Sequence, residues 1–454
     1  GNMIGGTYDS TGQSDPNYRV YKIYSDSLSS NPNADYLAWP VSQGAPVDDS
    51  GRPAIIGDQM LWCVYNDAKP SEHTNDAGST APLGLEIQQS TFAFDRDDYL
   101  GNIVFLRFQI RNKGTRTLTN TFVSLWSDPD LGGASDDLVG CDTLLSLGYC
   151  YNATNNDNAY GSRPPAVGYD FFQGPLEFTG NAADTAKMFG QLWVGYVNLP
   201  MSSFNKYING TDPHSYTESY RYQNGLDKDG NPDVSGTNFA VSGDPVNQTG
   251  FLDANPADRR FMLTTGPFTF RPGDSTEIVA AIIVAQGGDR TGSVAALKYT
   301  DRFAQTAYEL DFDVAAPPAQ PNVDVSNLSG RVVLHWDDIS ETDHGDYEFE
   351  GYTVYQGKRN PANNEITWKP IPNGNFDLNN GIATILDDVW DIENSVLEHV
   401  GVKFGSDNGL THTFEITEDT WEGGQLVNNT EYLFKVEAYA YDPLSTPVTQ
   451  SAGT

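Results

Sequence analysis

Carboxylates crowded into one short span are the side chains here best placed to do chemistry. Residues 122–151 read FVSLWSDPDLGGASDDLVGCDTLLSLGYCY. An alternating apolar run (Phe122, Val123, Leu125, Trp126) leads into a loop carrying Asp128, Asp130, Asp136, Asp137 and Asp142. Asp-Pro-Asp followed by glycines makes a tight turn, and carboxylates gathered this way repel unless something positive sits among them. A hard cation with oxygen ligands suits such a loop, and calcium tolerates irregular geometry better than magnesium. The spacing is not that of an EF-hand, so the competing reading is a solvated acidic loop. Asp227, Asp229, Asn231 and Asp233 form a second set, with the alternating oxygens that open many calcium loops. An ordinary Asp-Gly turn would use the same residues. Structural calcium is the expected cofactor.

Two further sets have chemical potential. Cys141 and Cys150 close the acidic stretch and are near enough in sequence for a small disulfide loop, worth about 3 kcal/mol if unstrained. Reduced thiols are the alternative. Cys63, within Leu-Trp-Cys-Val-Tyr, reads as a small buried apolar residue. Residues 152–260 are rich in loops and carry Tyr160, Tyr169, Phe171, Phe172, Tyr207, Tyr216 and Tyr220. These rings, Tyr169, Phe171 and Phe172 first, could stack on sugars beside Asn and Asp, or anchor the loops onto a core.

Catalytic signatures are missing. The six histidines are scattered, with no H-E-x-x-H spacing, no G-x-S-x-G elbow and no nucleotide fingerprint. Acidic pairs are too abundant for any one to be singled out as a glycosidase pair.

The 454 residues carry 61 acidic and 26 basic side chains, a formal net charge of -35. Such a surface repels nucleic acid and anionic membranes. Abundant aromatic residues and clear strand patterns argue against disorder. No apolar run is long enough to insert in a membrane. No signal peptide is present and the chain opens Gly-Asn-Met, so it is expected to be a mature or excised piece of an exported precursor, extracellular or at the cell surface.

The elements that must position these residues are mostly strands. Residues 1–60 form a loop-rich segment expected to pack on the next domain. Gln59 to Asn66 and Leu83 to Phe94 read as strands, and Ile103 to Arg111 alternates, with Val104, Leu106, Phe108 and Ile110 on one face. Asn112-Lys113-Gly114 then predicts a hairpin returning through Thr117 to Trp126. A second hairpin is predicted around Arg271-Pro272-Gly273-Asp274. One helix is expected near 293–310 from its period. The pattern predicts an all-β chain: a large sandwich over 61–314 with long loops and one packed helix, a Pro-rich linker at 315–321, and a second sandwich over 322–454.

That last region resembles a fibronectin type III module. Leu334-x-Trp336 matches the family's second strand. Leu426, Thr430, Tyr432, Phe434, Val436 and Ala438 match its L-x-x-x-T-x-Y-x-F-x-V-x-A run. The resemblance implies that Tyr432 is a corner tyrosine whose hydroxyl bonds backbone. Asn428 replaces the usual Pro, and an insertion lies around 388–420. Residues from about 18 to 315 resemble a group of large uncharacterised exported bacterial surface proteins, through GDQMLWCVYND, PLGLEIQQSTFAF, SDPDLGGASDDLVGCDT and PPAVGYDFFQGP. Such proteins commonly travel the type IX secretion route and carry fibronectin-type modules; the group implies no activity.

The expected function is a non-catalytic structural or adhesion protein, calcium-stabilised and able to serve as a subunit of an extracellular layer or filament. Its expected partners are copies of itself or other surface proteins. A glycan-binding module of a carbohydrate-processing system is the alternative, and a hydrolase the third reading.

Overall fold

The computed structural model describes residues 2–4, 7–10, 15–28, 32–96, 98–234, 236–361, 364 and 366–454. The protein is all-β and sandwich-like, with one long packed helix. It divides into two compact units, residues 1–312 with 392–395, and residues 313–391 with 396–454.

The first unit is built from β1 (Tyr21–Tyr24), β2 (Gln59–Asn66), β3 (Leu85–Ala93), β4 (Ile103–Asn112), β5 (Leu118–Ser127) and β6 (Asp137–Asp142). These are followed by β7 (Leu147–Asn152), β8 (Ala166–Gln173), β9 (Met201–Ile208), β10 (Arg259–Phe270) and β11 (Ser275–Ala285). Eight of them make an antiparallel sheet in the order β1-β2-β3-β4-β11-β8-β7-β6, and β9-β10-β5 make a smaller one. The two sheets pack face to face around Phe204, Phe261, Leu263, Ile278 and Ala280, all fully buried.

Neither predicted hairpin is one. β4 pairs with β3 and β11 in the large sheet, whereas β5 pairs with β10 in the small sheet. The turn after β4 and the turn before β11 are therefore corners at which the chain changes sheets. Buried Asn112 ties the two together. Its Nδ2 donates to the carbonyls of Arg116 and Phe270, and its Oδ1 accepts from the Gly114 N–H. A short turn looks the same in sequence whether its strands pair or cross.

The alternation of β4 also predicts a solvent face bearing Arg107, Gln109 and Arg111. Its other residues, Leu106, Phe108 and Ile110, do join the core between the sheets. Yet Ile103 and Phe105, on the polar side, are buried as well. Helix α1 (Arg290–Glu309) covers part of that second face. Asp289 caps it, accepting from the N–H groups of Thr291 and Gly292 at 3.0 and 2.7 Å. Its buried stripe includes Val294, Leu297, Phe303, Ala304 and Ala307. Gly168 of β8 permits the close approach, since a Cβ there would lie 3.0 Å from Leu297 Cδ2. Beneath the helix runs a polar chain. Arg107 Nε donates to Glu277 Oε1 at 2.7 Å. Glu277 Oε2 accepts from Gln173 Nε2 and the Phe189 N–H, and Tyr308 Oη donates to Gln173 Oε1. Buried polar atoms need such partners.

The second unit sets three strands, β12 (Val323–Leu328), β13 (Arg331–Trp336) and β18 (Thr413–Ile416), against four others. Those four are β14 (Glu348–Arg359), β15 (Ile366–Asp377), β19 (Leu433–Tyr441) and β20 (Thr449–Gly453), in the order β15-β14-β19-β20. β16 (Thr384–Asp391) and β17 (Val396–Phe404) pair only with each other. Leu334, Trp336, Tyr352, Val354, Val436 and Ala438 fill the core. The Val427 N–H donates to Tyr432 Oη at 3.0 Å.

Candidate functional site

The acidic stretch does not converge on one point. Asp128 and Asp130 follow β5, and Asp258 precedes β10, the strand paired with β5. Among the described residues these three carboxylates form the one group close enough for a metal ion, with ligand atoms within 4.8 Å of one another. Asp258 gives no signal in sequence, because only strand pairing brings it there. Arg260 lies among them. It contacts Asp128 at 2.8 Å, Asp258 at 2.8 Å and Asp212 at 3.4 Å. Burial pushes the Asp128 carboxyl up, Arg260 pulls it down, and Asp130, Asp258 and Asp212 push it up again. Asp128 Oδ1 is buried without a hydrogen-bond partner. Four carboxylates around one guanidinium leave an excess of negative charge there.

The other predicted ligands are used elsewhere. Asp136 ends a one-turn 3-10 segment, Ala134–Asp136. Asp137 is fully buried on β6, where its Oδ2 accepts from the Leu131 N–H, and burial pushes it up to about 7. Asp142 pairs with Lys298 of α1 at 2.9 Å. Asp227 Oδ1 accepts from the N–H groups of Asp229 and Asn231 at 2.9 and 2.8 Å, an Asx turn. The Asn231 side-chain amide also reaches the Asp227 carboxylate, at 3.4 and 3.5 Å, and Asp229 and Asp233 are exposed. Asp157, which sequence reading passes over, organises the acidic loop. It accepts from the N–H groups of Gly133, Ala159 and Tyr160 at 3.0, 2.7 and 2.8 Å.

The expected disulfide is not formed. Cys141 and Cys150 are free thiols on the β6–β7 pair. In register Cys141 faces Gly148 and Cys150 faces Val139, so the two are diagonal neighbours. Diagonal positions on a ladder lie roughly 7–8 Å apart, beyond the reach of a bridge. Cys141 Sγ donates to the Ala240 carbonyl, and burial pushes both thiols up.

The expected glycan platform is also dismantled. Tyr169, Phe171 and Phe172 belong to β8, in the interior of the large sheet. Phe171 is buried, Tyr169 packs edge-on against Phe261, and Phe172 stacks on Tyr308 at 5.6 Å. Tyr207 is buried against Tyr222. Tyr160, Tyr216 and Tyr220 do stay exposed. Between the β8 rings sits Asp170, buried and hydrogen-bonded to buried Asp301 of α1. Burial, first, and then the neighbouring acid push Asp170 up.

A different surface has the character the sequence assigned to β8. The N-terminal segment folds over the end of the large sheet and leaves an open cleft of about 950 Å³. A short helical turn, Ala34–Leu37, leads into its wall. Trp39 packs between Tyr21 and Trp62, with ring centroids 6.3 and 6.1 Å away, and its Nε1 donates to the Pro46 carbonyl. Tyr18, 44 % exposed, lies on the rim, whereas the Tyr65 ring is on the opposite face of the sheet, its hydroxyl donating to Gln89 Oε1. Gln88 Nε2 donates to the Gln43 carbonyl and Gln43 Nε2 to the Asn17 carbonyl. Lys69, Glu86, Arg111 and Lys113 complete one side. Three prolines and mixed polar residues hid this segment's role, because its rings meet only after β1 joins the edge of β2.

No protein-family model matches the chain, and neither does any curated protein. Among solved structures, a polysaccharide lyase aligns at 8% identity with a TM-score of 0.22. The alignment covers 81% of this chain and 33% of the lyase, so the chain spans about a third of that protein's length. A likeness this slight carries nothing about activity.

Proposed function

We propose that this is a non-catalytic extracellular or cell-surface adhesion protein whose first unit binds a glycan chain in the N-terminal cleft. The observation that carries this reading is an open cleft lined by exposed Tyr18 and partly buried Tyr8 together with Gln43 and Asn66, with Tyr21 and Trp39 buried in its wall. Aromatic faces suit the C–H surfaces of sugars, and amides suit hydroxyls. An open groove accepts a chain, where a closed pocket would take a small ligand whole. The acidic composition and the absence of metalloprotease, esterase and nucleotide motifs support a binding role over a hydrolase. The three-and-four strand arrangement and the Tyr432 bond support reading the second unit as fibronectin type III-like. Its resemblance to type IX cargo supports a place at the cell surface.

The glycan reading is tested on an oligosaccharide array. Tyr18→Ala is expected to weaken retention about tenfold or more, by analogy with stacking losses of 1–3 kcal/mol per ring, with the melting temperature unchanged. Retention of no sugar by the parent protein would defeat the reading.

Calcium is a second proposal, favoured by the Asp128, Asp130 and Asp258 group. A cation bound there would relieve the charge that Arg260 leaves over. At a hundredfold excess over its dissociation constant, calcium should stabilise the first unit by about 2.7 kcal/mol, a rise of several degrees. Asp130→Asn, which leaves the Arg260 pairs in place, should abolish that rise. Identical melts in calcium and in chelator would dismiss a structural ion.

A further inference from the structure

We infer that the N-terminal cleft selects an anionic glycan, one carrying uronic-acid carboxylates, and that Arg111 is the residue that pairs with the carboxylate. This rests on the glycan reading of the cleft and adds the chemistry of its ligand.

The whole chain has 26 basic side chains to 61 acidic ones. The cleft is lined by three of each: Lys69, Arg111 and Lys113 against Asp15, Glu72 and Glu86. Two of the cations are already engaged. Lys69 pairs with Glu72 at 2.8 Å, and Lys113 pairs with Glu86. Arg111 faces Glu86 in the β3–β4 register, but that carboxylate is held by Lys113. The Arg111 guanidinium makes no ion pair or hydrogen bond among the described residues. An unpaired, half-buried guanidinium in so acidic a protein is conspicuous. Its planar fork matches a carboxylate through two parallel bonds.

A second observation points the same way. Tyr18, 44 % exposed, lines the same cleft and offers a ring face to a sugar. One sugar bearing a carboxylate would pair with Arg111 while setting its C–H face against Tyr18.

The protein's net charge of -35 opposes any anion. That repulsion comes mostly from distant charges and fades beyond about 8 Å at physiological salt. A carboxylate in contact with Arg111 is not screened in that way. The contact decides specificity.

The test uses the intact chain at physiological ionic strength, titrated with tetragalacturonate as free acid, its methyl ester, cellotetraose and tetraglutamate. The free acid is expected to bind about tenfold or more tighter than the ester, as for a hydrogen bond to a charged group. Arg111→Gln should bring the acid down to the ester, with the ester unaffected. Arg111→Lys should recover only part, because an ammonium lacks the fork; it also serves as the control should Arg111→Gln disturb the fold. Equal binding of acid and ester, unmoved by Arg111→Gln, would overturn the anionic inference while leaving the cleft a glycan site. Binding of tetraglutamate alone, or of none of the four, would overturn the glycan reading and this inference with it.

Discussion

Asp170→Asn is expected to flatten the dependence of stability on pH, leaving the variant more stable than its parent at pH 8. Asp170 and Asp301 are both buried between β8 and α1 and hydrogen-bonded to each other. Each also has one buried oxygen without a partner. Burial is the largest cause of both upward shifts. Asp142 adds to the shift of Asp301 and Arg302 opposes it. The sign follows from proton counting. Folded-state values lie above the unfolded one, so the folded pair keeps protons that the unfolded chain gives up. The stability is whole below the ordinary carboxylate range and is lost as pH rises through it towards the folded values. Each retained proton costs about 1.4 kcal/mol per pH unit in that window. Removing one acid should lower the slope by about that amount, and Asp137, pushed up to about 7, keeps it from vanishing. Urea midpoints of the first unit between pH 5 and 8 measure it. Parallel curves for parent and variant would mean that the pair does not hold its protons.

Arg107→Leu is the other large effect, a loss of about 3–5 kcal/mol. Glu277 is 1% exposed, and Arg107 is its cation. Gln173 and the Phe189 N–H would remain on the carboxylate, but neither carries charge. Taking one member from a buried pair costs far more than replacing both, because the survivor is left uncompensated. The double variant Arg107→Leu with Glu277→Leu should therefore recover part of the loss, the remainder being the bonds Glu277 makes to Gln173 and Phe189. The denaturant midpoint should fall without a change in slope. A single-variant loss below about 1 kcal/mol, the level of an exposed pair, would show that solvent reaches Glu277.

Strand period and composition were enough to reach the class of fold. Leu106, Phe108 and Ile110 alternate towards one core, Leu334 and Trp336 towards another, and the 3.6 period marks the helix that carries Leu297 and Phe303. Those signals are local, since each depends on one residue's spacing from the next. What failed was non-local. The corners at Asn112 and Gly273 look like hairpins because a turn does not encode which sheet its strands join. Arg107 looks solvated because nothing in β4 announces the buried Glu277 of β11 that pairs with it.

The candidate sites divide in the same way. Sequence alone determined that carboxylates, thiols and rings were present at Asp128, Cys141 and Phe171. Tertiary structure decided their fates: a salt-bridged cluster completed by Asp258, a diagonal pair too far apart to bond, and a core ring. It also assembled the cleft from Tyr18, Trp39 and Arg111, which lie on separate elements and meet only through strand pairing and edge packing. Spacing along the chain fixes which face a side chain takes; only the pairing of distant strands fixes what it meets there.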